Sequence, residues 1–189
     1  MEPGSPRPTV LVVDDDDQVR DLYTTWLAEE YTVHTAKSGA EALETVDGGV
    51  DVVLLDRRMP DMPGDDVLTE VRTLGHDCRV VMLTAVDPDM DIIDMEFDDY
   101  VTKPVSETEL AQTVETMIAR SNYGEQLQEY FAVASKRATL ETELTEEELS
   151  ASDEYAQLVE QAEELRDSLD RLLSDLTRYE DFDSAFSEL

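Results

Sequence analysis

The chain has 189 residues, of which 47 are acidic and 14 are Lys or Arg, and its formal net charge is -33. Such a surface argues against binding to nucleic-acid phosphates or anionic lipids, whereas a hydrophobic fraction of 41% is enough for a packed core and excludes a disordered chain. Because the acids are spread along the chain and only three bases are lysines, the composition favours a halophilic protein. At 1 M salt the Debye length is about 3 Å, so the repulsion between the acids of the chain would be screened. The repulsion between the chain and DNA would be screened as well, which weakens the argument against DNA binding.

The first two thirds of the chain alternate short apolar runs with amphipathic stretches. The runs are rich in β-branched residues and nearly continuous in apolar character, which is typical of strands buried on both faces of a parallel sheet. They cover residues 9–13, 31–36, 51–55, 79–84 and 100–102. A helical pattern follows each run, weakest around residues 90–96, where we expect a short helix. Five strands and five helices predict an α/β fold with a doubly wound five-stranded parallel sheet.

After Arg120 the pattern is helical only. A first helix carries apolar residues at 123, 127, 130, 131, 134, 138 and 140, and a polar break follows at residues 145–153. A second helix carries Tyr155, Leu158, Ala162, Leu165, Leu169, Leu172, Leu176 and Tyr179, in alternating steps of three and four. These heptads predict an all-α helical hairpin or a coiled coil with another chain. We therefore predict domains at 8–121 and 122–180, with flexible termini at 1–7 and 181–189.

Cysteine usage and hydropathy predict a cytoplasmic protein. Cys78 is the single cysteine, which excludes an intramolecular disulfide and a cysteine-rich metal site. No apolar run approaches the roughly 18 residues of a membrane span, and residues 1–8 lack the features of a signal peptide. We therefore expect no membrane partner.

Polar side chains follow the predicted strands at their carboxyl ends. They are Asp14 and Asp15 after the first strand, Asp56 after the third, Thr84 at the end of the fourth and Lys103 after the fifth. In an open parallel sheet these ends meet in one crevice. Three carboxylates there would repel each other, and a hard cation such as Mg2+ would relieve the repulsion. One carboxylate could then accept a phosphoryl group, with the cation, the ammonium and the hydroxyl offsetting its charge.

Four segments, in this order, resemble the receiver domain of two-component response regulators. They are residues 12–15 (VVDD), 51–64 (DVVLLDRRMPDMPG), 82–85 (MLTA) and 98–104 (DDYVTKP). The resemblance covers about residues 8–121 and implies a flavodoxin-like receiver. Its phosphoryl donor would be a sensor histidine kinase. Because the sequence has no kinase nucleotide motif, we expect the chain not to be an enzyme itself.

The resemblance also implies a metal site and a phosphoacceptor. Asp56 would accept the phosphoryl group. Asp15 and Asp56 would bind Mg2+ directly and Asp14 mainly through water, while the backbone carbonyl of Arg58 would complete the protein ligands. Asp16 is expected to cap the first helix.

The remaining residues of the resemblance concern the phosphoryl group and the switch. Lys103 would contact the phosphoryl group, and Pro104 would follow a cis peptide bond. Thr84 would turn inward on phosphorylation, and Tyr100 would follow it as the aromatic switch.

Two features depart from the receiver pattern. Glu96 and Phe97 replace a small Gly-Ala pair, and the interval from Thr84 to Lys103 is shorter than usual. The shortened fourth helix argues against the usual receiver dimer, which uses that helix, the fifth strand and the fifth helix.

The tail resembles the HalX domain of haloarchaeal response regulators over about residues 122–176. The resemblance is carried by Tyr123 and by residues 127–131 (LQEYF), 134–136 (ASK) and 140–141 (LE). One hypothesis is an output module in transcription control, with a homodimer through the helical domain or the receiver face. The alternative is a phosphorelay adaptor that acts by protein–protein contacts without DNA, and a third is a tail that only stabilises the receiver.

Two other interpretations of the acids are weaker. Aspartate-nucleophile phosphatases of the haloacid-dehalogenase type fit Asp14 and Asp16, but Gln18 and the 51–64 segment do not fit them. The acids at 87, 89, 91 and 94 are predicted to lie on a solvated loop and short helix rather than at a second metal site.

Overall fold

The computed structural model describes the backbone of residues 7–186 and the side chains of residues 7–177, except residues 91 and 175. The first part is a five-stranded parallel sheet in the order β2-β1-β3-β4-β5. The strands are β1 (Thr9–Val13), β2 (Thr32–Ala36), β3 (Val52–Leu55), β4 (Arg79–Thr84) and β5 (Asp99–Thr102). The predicted doubly wound fold is therefore confirmed.

The helices follow the predicted order. They are α1 (Asp17–Leu27), α2 (Gly39–Thr45), α3 (Gly64–Thr73), α4 (Glu107–Glu143), α5 (Glu146–Ser150) and α6 (Asp153–Phe186). The weak pattern near residue 90 is a 3-10 helix, Met90–Asp94. None of the described helices is both long and apolar enough to span a bilayer.

Successive strand residues point to opposite faces of the sheet and build two cores. Leu11, Val53 and Leu55 join one core with residues of α2 and α3. Val10, Val12 and Leu54 join the other core with residues of α1 and the first turns of α4. Burial on both faces is the reason that the strands are continuously apolar in sequence.

The chain divides within α4, between Ile118 and Ala119, into two compact units. This division lies close to the predicted boundary after residue 121. Helix α6 continues to Phe186, so the predicted flexible segment 181–189 is helical over its first six residues. Residues 1–6 and 187–189, which belong to the predicted flexible termini, lie outside the described residues.

The second unit contains the predicted helical hairpin. The Tyr155 hydroxyl donates to Glu141 at 2.8 Å, and the Gln161 amide donates to Glu129 at 3.2 Å, so α6 runs antiparallel to α4. Ala162 and Leu169, two predicted heptad positions, are buried. Packing between the two helices of one chain therefore covers this stripe.

Two predicted apolar positions of the hairpin, Phe131 and Ala138, are wrong, because both are exposed. Phe131 is 60% exposed, whereas Val133, which was not predicted, is buried. Between residues 123 and 140 of α4, the buried and half-buried positions are 123, 124, 126, 127, 130, 133, 134, 137 and 140. This face of α4 includes polar Gln126 and Arg137 and leaves Phe131 outside.

Candidate functional site

Backbone hydrogen bonds carry the strand ladders one residue past the strand ends and bring the predicted site residues together. The amide of Asp14 donates to Ala36 at 3.1 Å, that of Asp56 to Val13 at 2.8 Å, and that of Lys103 to Thr84 at 2.8 Å. Each of these three residues is thus held by the end of a neighbouring strand. Their side chains converge at the carboxyl edge of the sheet, where ligands bind in folds of this class.

Three carboxylates form a compact acidic group at this edge. Oxygen atoms of Asp14, Asp15 and Asp56 lie within 4.8 Å of one another. Asp14 is 3% exposed and Asp15 is on the surface, so the group opens to solvent on one side. It is the only cluster with such geometry in the described part of the chain, and Asp87, Asp89 and Asp94 form no other among the described side chains, which do not include that of Asp91.

Lys103 lies against this acidic group. Its ammonium donates to Asp14 at 2.5 Å and lies 3.4 Å from a carboxylate oxygen of Asp56. Burial by itself lowers the pKa of Lys103, but the hydrogen bond to Asp14 and the charges of Asp14 and Asp56 raise it more, so the pKa lies above its ordinary value. The side chain is therefore a fixed positive charge beside Asp56.

The predicted switch residues both bind the backbone of Val86. The Thr84 hydroxyl, fully buried, accepts a hydrogen bond from the amide of Val86 at 3.3 Å. The Tyr100 hydroxyl donates to the carbonyl of Val86 at 2.7 Å. The ring of Tyr100 packs against Phe97 with centroids 5.6 Å apart. Phe97, which replaces a small residue of the receiver pattern, thus supports the ring of Tyr100.

Three further sequence expectations concern the surroundings of the site. The Lys103–Pro104 bond is cis, as the resemblance implies. Asp16 caps α1, where its side chain accepts from the amide of Gln18 at 2.8 Å. Arg58 is exposed and its amide lies 3.4 Å from a carboxylate oxygen of Asp56, so its backbone passes the acidic group.

Sequence reasoning missed Arg20. This side chain is 9% exposed and donates to the backbone carbonyl of Asp14 and to the carboxylate of Asp17. The carboxylate of Asp14 accepts from the amide of Asp16 and from Lys103, and its amide donates to Ala36, so both its backbone and its side chain are held in place. The available signal was an arginine three residues after Asp17 on a helix that begins beside the acids.

Gly64 is a second residue whose role was missed. A Cβ at this position would lie 2.3 Å from the carbonyl oxygen of Asp56 and 2.9 Å from the Cα of Arg57. The amide of Gly64 donates to the carbonyl of Arg57 at 2.9 Å. Arg57 in turn forms a forked ion pair with Asp65, with nitrogen–oxygen distances of 2.9 and 3.0 Å. The loop after Asp56 is therefore closed tightly onto the strand end.

Asp98 lies in a matched segment but belongs to the opposite end of the sheet. It accepts from Arg72 at 2.7 Å, from Arg79 at 2.8 Å and from the amide of Val80 at 2.8 Å. This network joins α3 to the beginnings of β4 and β5. Its role is to hold the fold together, away from the acidic group.

The arrangement as a whole suits anion transfer to a carboxylate. Hard oxygen donors within one ion's reach fit a divalent cation such as Mg2+. A fixed ammonium and a buried hydroxyl lie at the same edge. Positive charge near a nucleophilic carboxylate stabilises the charge of an incoming phosphoryl group.

Comparison with known families identifies both parts of the chain. Residues 10–115 match the family model of the response regulator receiver domain. Residues 119–186 match that of the HalX domain.

Individual relatives agree with this assignment. A Haloferax volcanii protein whose name describes a transcriptional regulator is 53% identical over 139 residues, which cover 73% of this chain and 24% of that protein. The transcriptional regulatory protein CpxR of Klebsiella pneumoniae is 37% identical over 123 residues, which cover 63% of this chain and 53% of CpxR. The chain thus spans about a quarter of the first relative and about half of the second.

A solved structure shows the same similarity in three dimensions. The response regulator TrrA of Thermotoga maritima, in complex with Mg2+ and BeF, is 34% identical, with a TM-score of 0.51. The superposition covers 58% of this chain and 98% of TrrA.

Proposed function

The chain belongs to the response regulator receiver family, with a HalX domain after its receiver, and from this we propose that it is a phosphorylated signalling protein. Asp56 accepts a phosphoryl group from a sensor histidine kinase, and the helical domain passes the signal on. The observation that carries this proposal is the position of the Asp56 carboxylate, which shares one edge of the sheet with two other carboxylates and lies 3.4 Å from the Lys103 ammonium.

The proposed reaction is a displacement at phosphorus. A carboxylate oxygen of Asp56 attacks the phosphorus of a phosphohistidine, an oxygen–phosphorus bond forms, and the phosphorus–nitrogen bond breaks. The imidazole of the kinase keeps the electron pair of the broken bond and takes up a proton. Lys103, held beside Asp56 by Asp14, offsets the charge that develops on the phosphoryl oxygens.

We also propose that the acidic group holds Mg2+. Asp14, Asp15 and Asp56 supply the carboxylate oxygens, and the backbone carbonyl of Arg58 is the proposed remaining protein ligand. When bound, the ion would neutralise charge on the transferred phosphoryl group. The fit rests on the donor set, because three carboxylates within 4.8 Å of one another are hard oxygen ligands that a divalent cation prefers.

Thr84 and Tyr100 are the proposed switch. Both side chains are hydrogen-bonded to the backbone of Val86, Thr84 to its amide and Tyr100 to its carbonyl. A move of Thr84 toward a phosphoryl group on Asp56 would break the contact with the amide and change the support of Tyr100. The segment after β4 would thereby respond to phosphorylation.

The output is proposed as transcription control, as the names of two relatives suggest. The alternative is an adaptor that acts through protein contacts alone, which the charge favours, because residues 122–189 contain 19 acids and 5 bases. A homodimer through the helical domain would need surfaces other than the seam that α4 and α6 cover in one chain. A cytoplasmic location and domains at 8–121 and 122–180 remain part of this proposal.

Phosphoryl labelling tests the assignment. With a radiolabelled small acyl phosphate and Mg2+, we expect wild type and Asp16→Ala to be labelled and Asp56→Ala not to be. Asp16 is a suitable control because its side chain caps α1 and is not part of the acidic group. Labelling of Asp56→Ala at the wild-type level would refute the proposed phosphoacceptor. Light scattering in concentrated salt, with and without beryllofluoride, tests the homodimer, which a monomer under both conditions would exclude.

A further inference from the structure

The 3-10 helix after β4 exposes an unusual amount of apolar surface. Met90 is 78% exposed and Ile93 is 72% exposed, which makes them the most exposed large apolar side chains of the described residues. A 3-10 helix has three residues per turn, so side chains three positions apart lie on the same side. Met90 and Ile93 therefore form one continuous strip, called the Met90–Ile93 ridge below. Single exposed apolar residues are common, but two that adjoin are a candidate contact surface.

A groove begins where the ridge ends. Its volume is about 370 Å3. One wall comes from α3 and includes Leu68, Thr69 and Thr73, and the other is formed by Asp94, Met95 and Glu96. Leu68 and Met95 contribute the apolar part of the lining. A groove of this size can accept apolar side chains of a partner.

Acidic residues predominate around the ridge and groove. Residues 85–96 include five acids and no base. Arg72, the basic residue that lines the groove, is already engaged, since it donates to the carbonyl of Glu96 at 3.0 Å and to the carboxylate of Asp98 at 2.7 Å. A partner that covers this surface must therefore bring positive charge to the rim and apolar side chains to the centre.

The backbone that carries the ridge is anchored at its beginning. The amide and carbonyl of Val86 are hydrogen-bonded to Thr84 and Tyr100. The side chain of Asp89 caps the first turn of the 3-10 helix at the amide of Met90, at 2.7 Å. A surface held in this way loses less conformational entropy when a partner binds.

We propose that the Met90–Ile93 ridge and the adjacent groove dock a basic amphipathic helix of another protein. Its apolar residues, spaced at i, i+3, i+4 and i+7, lie on the ridge and in the groove. Its Lys or Arg side chains lie against Asp94 and Glu96. A second copy of this chain is a poor occupant, because a two-fold contact would place the same acids against each other and the whole chain has 14 Lys and Arg among 189 residues.

The test uses the full chain and a fluorescent synthetic helix of about 18 residues, with leucines at the spacing above and lysines elsewhere. Fluorescence anisotropy measures its affinity in dilute salt and in about 1 M salt, where nonspecific attraction to an acidic surface is screened. We expect Met90→Gln/Ile93→Gln to weaken binding about tenfold or more at both salt concentrations. Asp94→Asn/Glu96→Gln should weaken binding in dilute salt and reduce its salt dependence.

Leu22→Gln is the matched control. Leu22 is 45% exposed and lies on α1, on the opposite face of the sheet from α3. The Leu22→Gln variant should bind the peptide with the affinity of wild type. A double ridge variant that binds like wild type, or a Leu22→Gln variant that weakens as much, would overturn the proposal. Self-association of wild type that disappears in the double ridge variant would also overturn it, because the occupant would then be a second copy.

Discussion

Substitution of Gly64 by alanine tests the packing of the loop that carries Asp56. The added methyl carbon would lie 2.3 Å from the carbonyl oxygen of Asp56 and 2.9 Å from the Cα of Arg57. Both neighbours are backbone atoms, so no rotation of a side chain can relieve the overlap. The strand end or the first turn of α3 must move instead.

The size of the effect follows from this overlap. Forcing an extra methyl into a packed site costs about 1–3 kcal/mol. With a urea dependence of about 2 kcal/mol/M for a domain of this size, the midpoint of unfolding should fall by about 0.5–1.5 M. Because the displaced carbonyl belongs to Asp56, the proposed phosphoacceptor, we also expect slower labelling of this residue by an acyl phosphate.

The assay uses the fluorescence of Trp26 during urea unfolding in concentrated salt. Trp26 is the single tryptophan and its ring lies 5.5 Å from that of Tyr23 in the core of the receiver, so it reports on this unit. Gly48→Ala is the control, because no atom lies within 4 Å of a Cβ there. If Gly64→Ala unfolded and was labelled like Gly48→Ala, the close approach of Gly64 to Asp56 would not constrain the site.

Other predictions concern the core, the fold and the hairpin. Burial raises the pKa of the Cys78 thiol, so a thiol reagent at about pH 8 should react slowly with the folded chain and rapidly in urea; fast reaction in the folded state would contradict this burial. Asp98→Asn leaves two part-buried arginines without their counter-charge and should lower the free energy of unfolding by about 1–3 kcal/mol while Asp56 is still labelled; an unchanged Trp26 midpoint would refute the structural role. Hydrogen bonds from Arg137 and Tyr155 lower the pKa of Glu141, so its favourable contribution is present above its unfolded pKa of about 4.3 and disappears as the pH falls through the lower folded value. Helix content followed by circular dichroism should therefore depend less on acid pH in Glu141→Gln, and identical profiles would argue against this interaction.

The sequence predicted the strands well because a strand that is buried on both faces of the sheet is apolar at nearly every position. The segment 79–84 is predicted and observed as a strand, and all but its first residue are buried. The acids and the lysine of the site were predicted for a related reason. A charged residue directly after a buried run, as Asp14, Asp56 and Lys103 are, must lie at a strand end, and parallel strands bring those ends together.

The hairpin shows where periodicity is not enough. Phe131 and Val133 both lie within an amphipathic stretch, and the larger side chain was expected inside. Only the antiparallel arrangement of α4 and α6, with Tyr155 bonded to Glu141, decides which stripe of α4 is covered. Hydrophobicity alone does not encode the partner helix.

Taken alone, the sequence determined the order of strands and helices and the set of residues that meet at the carboxyl edge of the sheet. Both depend on burial and on strand direction, which are properties of short segments. The tertiary structure decided how that edge is supported. Arg20 reaches the carbonyl of Asp14 across a turn of α1, and Gly64 leaves room for the carbonyl of Asp56. These contacts depend on distances of a few ångströms between segments, and such distances exist only once the chain has packed.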